Sequence, residues 1–156
     1  MSKLAANPIY EAVTELHIQK LYKNIRRLDH QEVTAASGDV LATIYKSVAM
    51  SEQSYAVSVG DELLYIIGIV RPTMLGGIGI PWLLGTNAIK RNKKAFLRSS
   101  YALLKQTKQR YTRLENHVDA RNTDSIKWLI FMGFELEDAR PFGREQKPFH
   151  RFYWSK

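Results

Sequence analysis

Apolar and polar positions along the chain follow two different periods. Between residues 54 and 59 every second position from Tyr55 is apolar or aromatic, which is the period of a strand with one buried face. Gly60-Asp61 then provides a turn, and residues 63–70 are almost continuously apolar, as in a central strand. Residues 54–70 therefore predict a β-hairpin.

The longest helical pattern covers residues 88–113. Its apolar stripe recurs at spacings of three, four and seven and consists of Ile89, Phe96, Leu103, Leu104, Thr107 and Tyr111. The opposite face holds nine cations and no acid. The pattern predicts one long helix with a basic outer surface.

Shorter patterns predict the remaining elements. Strands are expected at 8–14, 80–86, 114–120, 134–139 and 148–155. Helices are expected at 14–27, 29–38, 39–51 and 122–134, with Thr14, Asp39 and Asn122 as N-caps and with Gly38 and Gly133 at C-terminal ends. This order predicts a single α/β (α+β) domain over residues 1–156, with a mostly antiparallel sheet of six to seven strands flanked by four to five helices.

Composition narrows the classes of protein. The 156 residues are 45% hydrophobic, which is enough for a buried core, and no stretch is apolar enough to predict a membrane span. The chain has no cysteine and its four histidines lack metal-ligand spacing, so neither a disulfide nor a metal site is expected. The first ten residues lack an apolar secretion core, which favours a cytoplasmic location.

Charge is distributed unevenly. Residues 1–86 carry 7 Lys and Arg against 8 Asp and Glu, whereas residues 87–156 carry 16 against 7. A basic half of this kind attracts nucleic acid, anionic cofactors or acidic proteins, and it equally serves as a solvated surface. Because no nucleic-acid-binding motif is present, contact with nucleic acid through residues 90–113 would be nonspecific.

Aromatic residues and a pair of acids are further candidates, each with a plainer alternative. Asp29 and Glu32 lie three apart on one helical face, where they either line a substrate cleft or are solvated. The aromatic set forms either a ligand cage or, more in keeping with its spacing, the core: Trp82, Phe96, Trp128, Phe131, Phe134, Phe149, Phe152 and Trp154.

The segment "ENHVDARNTDSIKWLIFMGFEL" resembles a known family. It reads as a strand, an asparagine cap, a helix and a Gly-Phe pair before another strand, and it is similar to the last conserved segment of the GCN5-related N-acetyltransferases. The order of elements over nearly the whole chain fits the same family. The resemblance implies transfer of an acetyl group from acetyl-CoA to an amine.

A closer resemblance is to acetyltransferase-like or internal virion proteins of short-tailed phages. It is carried by "RRLDHQEV" (26–33), "WLLGT" (82–86), "NHVDARNTDSIKWLIFMGF" (116–134) and "PFHRF" (148–152). It implies a protein found in the cytoplasm of an infected host cell or in the virion interior, with other virion proteins or a host protein as partners.

The family resemblance also assigns a cofactor site. The strand "WLLGT" would hold the pantetheine of acetyl-CoA, and the following helix start would take its phosphates on backbone N–H groups. The cofactor-binding residues implied are Leu83, Leu84, Gly85, Thr86, Lys90, Arg91, Lys93, Lys94 and Asn122. The family's glycine-rich phosphate loop is missing, because no glycine lies between Thr86 and Tyr101.

Proton handling departs from the family as well. The helix "SIKWLIFMGF" lacks the tyrosine that would protonate the leaving thiolate. His117 is a base by residue type and Glu115 is a weaker candidate, while an ordinary polar strand histidine is the plainer interpretation of His117. Two hypotheses follow: an N-acetyltransferase with an altered phosphate site, or a non-catalytic phage protein that reuses the fold.

Overall fold

A computed structural model describes residues 7–156, so six of the ten residues on which the cytoplasmic prediction rests lie outside the described residues. The strands are β1 (Ile9–Glu11), β2 (Gln53–Val59), β3 (Glu62–Val70), β4 (Ile78–Gly85), β5 (Arg113–Asp119), β6 (Glu135–Leu136), β7 (Arg140–Phe142) and β8 (Lys147–Ser155). The α-helices are α1 (Glu15–Asn24), α2 (Arg27–Ser37), α3 (Val40–Met50), α4 (Lys93–Arg110) and α5 (Thr123–Phe131). A short 3₁₀ helix covers Asn87–Arg91.

The strands form one mixed sheet in the order β1-β2-β3-β4-β5-β8-β6, with β7 also paired to β8. Every neighbouring pair is antiparallel except β4 and β5, which run parallel. The mixed, mostly antiparallel architecture predicted from the sequence is confirmed. The sheet has eight strands rather than six to seven, because the turn expected after residue 139 contains the extra short strand β7.

The two faces of the sheet carry different helices. Alternate residues of β2, β3 and β4 pack in one core cluster with α1, α2 and α3, for example Ile66 with Leu21 and Ile44. Their neighbours on the strands pack with α4, and β5 and β8 pack with α5. The sheet therefore lies between a three-helix layer and a two-helix layer.

The predicted helix caps are present. The Thr14 side chain accepts from the backbone of His17, and the Asp39 side chain accepts from Ala42 at 2.9 Å. Gly38 ends α2 with a φ of 95°, in the left-handed region that glycine tolerates. These local signals were sufficient to locate the helices of the first half of the chain.

The prediction of one continuous helix over residues 88–113 is wrong. The Thr86 hydroxyl caps the 3₁₀ helix through Ala88 N, and Asn92 then leaves helical geometry with a φ of −134° and a ψ of 42°. The Asn92 side chain donates to Ala88 O at 2.9 Å, which ends the short helix before α4 begins. α4 itself ends at Arg110, and Tyr111 is extended.

The aromatic set is mostly buried or half-buried, as expected for core residues. Phe96, Phe134, Phe149 and Phe152 each expose 6% or less. Phe131 is the exception, with 61% of its surface exposed, because it lies on the outer side of α5.

Candidate functional site

The main opening in the sheet lies between β4 and β5. Only two residues of each strand pair, Ile78 with Arg113 and Gly79 with Leu114. Pro81 follows on β4 and has no N–H to continue the ladder. The Asn116 side chain spans the gap instead, donating to Pro81 O at 2.9 Å and accepting from His117 N at 2.8 Å. Proline and asparagine together therefore begin the separation of the two strands.

Backbone groups of β4 face this gap at every second residue. Thr86 N donates to Leu64 O of β3 at 2.8 Å, which sets the phase of the antiparallel ladder. By that alternation Leu84 bonds to β3, whereas Leu83 turns its N–H and C=O toward β5. No described residue of β5 pairs with Leu83. Of the two leucines predicted to hold a cofactor through the backbone, only Leu83 presents its groups to the gap.

A cavity of about 290 Å³ occupies the gap and reaches both faces of the sheet. On the α2 and α3 side it is lined by Glu32, Thr43 and Ser47, and on the α4 and α5 side by Phe96 and Trp128. Its volume is near the lower end of the range for small-molecule sites, and its walls are mainly apolar with a few polar groups.

The end of the gap beyond Leu83 is closed by the junction of α1 and α2. Arg26 N donates to Gly85 O at 2.9 Å, and Asp29 Oδ2 accepts from Gly85 N at 2.8 Å. A Cβ on Gly85 would lie 2.5 Å from the Cδ1 of Ile89 and 2.8 Å from the Nε of Arg26. A larger residue at this position would therefore displace the side chain of Ile89 or of Arg26.

Asp29 is the centre of a buried polar network at this closed end. It is 1% exposed and bonds to Arg26 through Nε at 2.9 Å and Nη2 at 2.8 Å. Its other oxygen accepts from Asn122 Nδ2 at 3.0 Å. Asn122 also caps α5 by accepting from Ser125 N at 3.3 Å. Because its side chain is fully engaged, Asn122 acts as a cap and a bridge between elements.

His117 projects from β5 into the cavity. Its ring stacks on Phe142 with centroids 3.9 Å apart, and neither ring nitrogen has a hydrogen-bond partner among residues 7–156. Burial lowers the pKa of His117 below the ordinary 6.5, and the nearby Arg151 lowers it further. The imidazole is therefore neutral near pH 7 and can accept a proton.

Glu115, the other candidate base, lies outside the cavity lining. It accepts from Arg113 Nε at 2.8 Å and pairs with Arg151. The hydrogen bond from Arg113 lowers the pKa of Glu115 and outweighs the opposing effect of partial burial. This carboxylate is held between two guanidinium groups and is a poor base.

The predicted phosphate-binding cations all lie at the surface, on the 3₁₀ helix and the start of α4. Lys90, Lys93 and Lys94 are exposed, and Arg91 pairs with Glu62. Ala88 and Ile89 are buried beneath them. The segment after β4 is therefore a packed short helix rather than a glycine loop, and only its side chains reach outward.

The sequence offered Asp29 and Glu32 together as cleft-lining or solvated residues; only Glu32 lines the cavity, and the sequence assigned it no part in proton transfer. Glu32 stands on α2 beside the cavity, where Asp119 N donates to it at 2.8 Å. Burial raises the pKa of Glu32 to about 8, and the neighbouring charge of Asp29 adds to the effect. The spacing of Asp29 and Glu32 indicated a shared face, but their partners on β5 and α5 are about ninety residues away in sequence.

Within residues 7–156 there is no cluster of acidic and histidine side chains suited to a metal ion, and no helix long and apolar enough to cross a membrane.

No family model and no curated protein matches the chain. Solved structures do. A GCN5-related N-acetyltransferase from Kribbella flavida aligns with a TM-score of 0.68 and 10% identity over 96% of this chain and 98% of its own.

Two further structures align over similar lengths. The ribosomal-protein-S18-alanine N-acetyltransferase from Escherichia coli gives a TM-score of 0.65 and 9% identity, covering 95% of this chain and 93% of its own. Spermidine N-acetyltransferase from Vibrio cholerae, in complex with CoA and spermine, gives 0.57 and 13%, covering 96% and 95%. At these identities the likeness shows the fold: the chain has the GCN5-related N-acetyltransferase fold.

Proposed function

We propose that this protein is an N-acetyltransferase that uses acyl-CoA as donor and an amine as acceptor. The observation that carries the proposal is the free backbone edge of β4 at Leu83, which opens on a cavity containing the neutral imidazole of His117. The names of the similar structures support the same reaction class, since they act on spermidine and on an alanine of a ribosomal protein.

The residues present fit an acyl-CoA in two respects. The N–H and C=O of Leu83, which pair with no residue of β5 in the described part of the chain, suit the amide groups of a pantetheine arm. The exposed Lys90, Lys93 and Lys94 suit its phosphates through charge-assisted hydrogen bonds, in place of the missing glycine loop. When bound, the group would supply the acyl thioester.

His117 has the role of base in this proposal. An amine attacks a thioester only in its neutral form, so a proton must leave its nitrogen. His117, which lines the cavity, accepts that proton on a ring nitrogen, and Phe142 holds the ring by stacking on it. Burial is the main reason that the resting imidazole is neutral, and Arg151 adds to the effect because a second positive charge beside a guanidinium is unfavourable.

Binding of acetyl-CoA to the purified protein tests the proposal by calorimetry. We expect micromolar affinity, and we expect Lys90→Glu, Lys93→Glu and Lys94→Glu combined to weaken it at least tenfold, or about 1.4 kcal/mol. Lys23→Glu, Lys46→Glu and Lys105→Glu combined change the net charge equally on exposed positions elsewhere and should bind as the wild type does.

A second candidate is a non-catalytic protein that reuses this fold, as the phage resemblance implies. The buried Ala88 and Ile89 and the Arg91–Glu62 ion pair favour it, because they occupy the place of the family's phosphate loop. Failure of acetyl-CoA to bind would refute the proposed N-acetyltransferase activity and favour this second candidate. Association with virion or host proteins, and nonspecific nucleic-acid contact through residues 90–113, remain predictions.

A further inference from the structure

Three carboxyl groups meet near the closed end of the cavity, and only two of them have a cationic partner. Asp29 is bonded to Arg26, and Asp119 is bonded to Arg121 through Nη2 at 2.7 Å and Nε at 3.0 Å. Glu32 is the third and has no cationic partner among residues 7–156. Of the three, it alone lines the cavity. Glu32 is therefore the one of these three carboxyl groups that has no positive charge among the described residues to hold it ionised and that can reach a molecule in the cavity.

The hydrogen bonds of Glu32 all fall on one of its oxygens. Oε1 accepts from Asp119 N at 2.8 Å and from Asn122 Nδ2 at 3.4 Å. Oε2 has no hydrogen-bond partner in the described part of the chain. Both donors carry hydrogens of their own, so a proton on the carboxyl group must reside on Oε2. The neutral acid thus offers an O–H group whose hydrogen bond is unused.

The surroundings of Glu32 favour the neutral acid. Asp29 on the same helix and Asp119 at the end of β5 are both negative, although each is compensated by an arginine. Asn122 of α5 is uncharged, and α3 contributes the hydroxyls of Thr43 and Ser47 to the cavity wall. Burial is the main cause of the raised pKa and Asp29 adds to it, and together they outweigh the hydrogen bonds from Asp119 N and Asn122, which lower the pKa.

His117 and Glu32 line the same cavity, and the order of their pKa values is the reverse of the ordinary one. The pKa of His117 is lowered from 6.5, while that of Glu32 is raised to about 8. Near pH 7 the imidazole is neutral and can accept a proton, and the carboxyl group is neutral and can donate one. Two titratable groups whose environments move their pKa values in opposite directions are the usual arrangement of an acid and a base in one site.

We propose that Glu32 is the proton donor of this site and replaces the tyrosine that the last helix lacks. The inference rests on the proposed acyl transfer. As the nitrogen–carbon bond to the acceptor forms and the carbon–sulfur bond breaks, the electron pair leaves with sulfur. Glu32 gives its Oε2 proton to that sulfur, and Asp119 N–H and Asn122 Nδ2 stabilise the carboxylate left behind. The proton taken up by His117 returns to Glu32 through solvent.

The protonation state of Glu32 can be measured without any substrate. Carbon-13 NMR of the glutamate carboxyl groups, with Glu32→Gln used to assign the resonance, should give a titration midpoint near 8 in the wild type. Glu11→Gln removes an exposed glutamate on β1 and should leave that resonance in place. A midpoint of Glu32 in the ordinary range of about 4 would overturn the donor role, whether or not the protein transfers acyl groups.

Two acyl donors with different leaving groups test whether Glu32 donates a proton during the reaction. With acetyl-CoA, Glu32→Gln should lower kcat about 10²- to 10⁴-fold, the usual contribution of a general acid. It should also abolish the alkaline decline of the wild-type rate. With thiophenyl acetate, whose more acidic thiol departs without a proton, the deficit should shrink to less than tenfold.

The outcomes separate the two proposals. Wild-type transfer together with an undiminished rate in Glu32→Gln would overturn the donor role alone. An equal deficit with both acyl donors would also overturn it, because loss of structure or of amine binding does not depend on the leaving group. Absence of transfer by the wild type with every amine would overturn the proposed function, and the donor role with it.

Discussion

Glu115 and His117 lie two residues apart on β5 and face the same side of the sheet, but their neighbours give them different chemistry. Arg113 and Arg151 hold Glu115 as a carboxylate of lowered pKa. His117 lies against Phe142 and the cavity with its ring nitrogens free of described partners. The sequence already ranked Glu115 below His117 by residue type, and the contacts give the physical reason. Its role stays a prediction.

Replacing His117 with Gln should lower the rate of acyl transfer about 10²- to 10⁴-fold, because the base is lost while a polar side chain of similar size remains. The wild-type rate should fall as the pH drops below 6.5, since protonation removes the base. Release of CoA thiol over a range of pH measures both effects. An unchanged melting temperature is the control, and a wild-type rate in the variant would rule out this base.

Asp29 is a buried residue whose loss should cost substantial stability. Asp29→Ala removes the carboxylate that pairs with the half-buried Arg26, and it removes the acceptor of the Gly85 N–H. We expect a loss of about 3–5 kcal/mol in the free energy of unfolding. Asp39→Ala makes the same chemical change at the exposed cap of α3 and should cost only about 0.5–2 kcal/mol. Urea denaturation of both variants compares them, and equal losses would contradict the network.

At the scale of elements, the separation of β4 from β5 defines the site. Pro81 interrupts the ladder, and the amide of Asn116 bridges the two strands. The sequence placed Pro81 within a strand but gave no indication that its missing N–H faces the parallel neighbour. The 3₁₀ helix was likewise missed, since its helical period continues into α4 and only the backbone of Asn92 breaks it.

Asn116→Ala should remove the side-chain bridge between β4 and β5. It leaves Pro81 C=O and His117 N–H without their partner, at a cost of about 1–3 kcal/mol. Hydrogen exchange at the His117 amide should become markedly faster. Asn116→Asp keeps an acceptor for that amide and should preserve its protection, whereas slow exchange in both variants would show that the bridge does not protect it.

At the scale of the whole molecule, the raised pKa of Glu32 makes the free energy of unfolding depend on pH. Its pKa in the folded protein is about 8, against an ordinary 4.5, so the folded state retains the proton between these values. The stabilising effect of that proton is fully present below pH 4.5 and is lost as the pH rises through 8. Glu32→Gln does not titrate, so the stability of the wild type relative to this variant should fall across that window.

Urea denaturation of wild type and Glu32→Gln at about pH 5, 7 and 9 measures this change. Glu11→Gln, at an exposed position, should show a far smaller dependence on pH. A difference between wild type and Glu32→Gln that stays constant from pH 5 to 9 would indicate that Glu32 ionises normally in the folded protein.

The sequence by itself determined the fold class and most of the elements, β7 and the 3₁₀ helix excepted, because the signals involved are local. Periodicity depends on neighbours within two to four positions, and the caps at Thr14, Asp39 and Asn122 act within three residues. Only the tertiary structure decided the site, because its contacts join distant parts of the chain. Asn122 meets Asp29 across 93 positions, and Glu32 meets Asp119 across 87. Burial changes acidity only once such contacts exclude water, which is why the spacing of Asp29 and Glu32 indicated a possible cleft but not the raised pKa of Glu32.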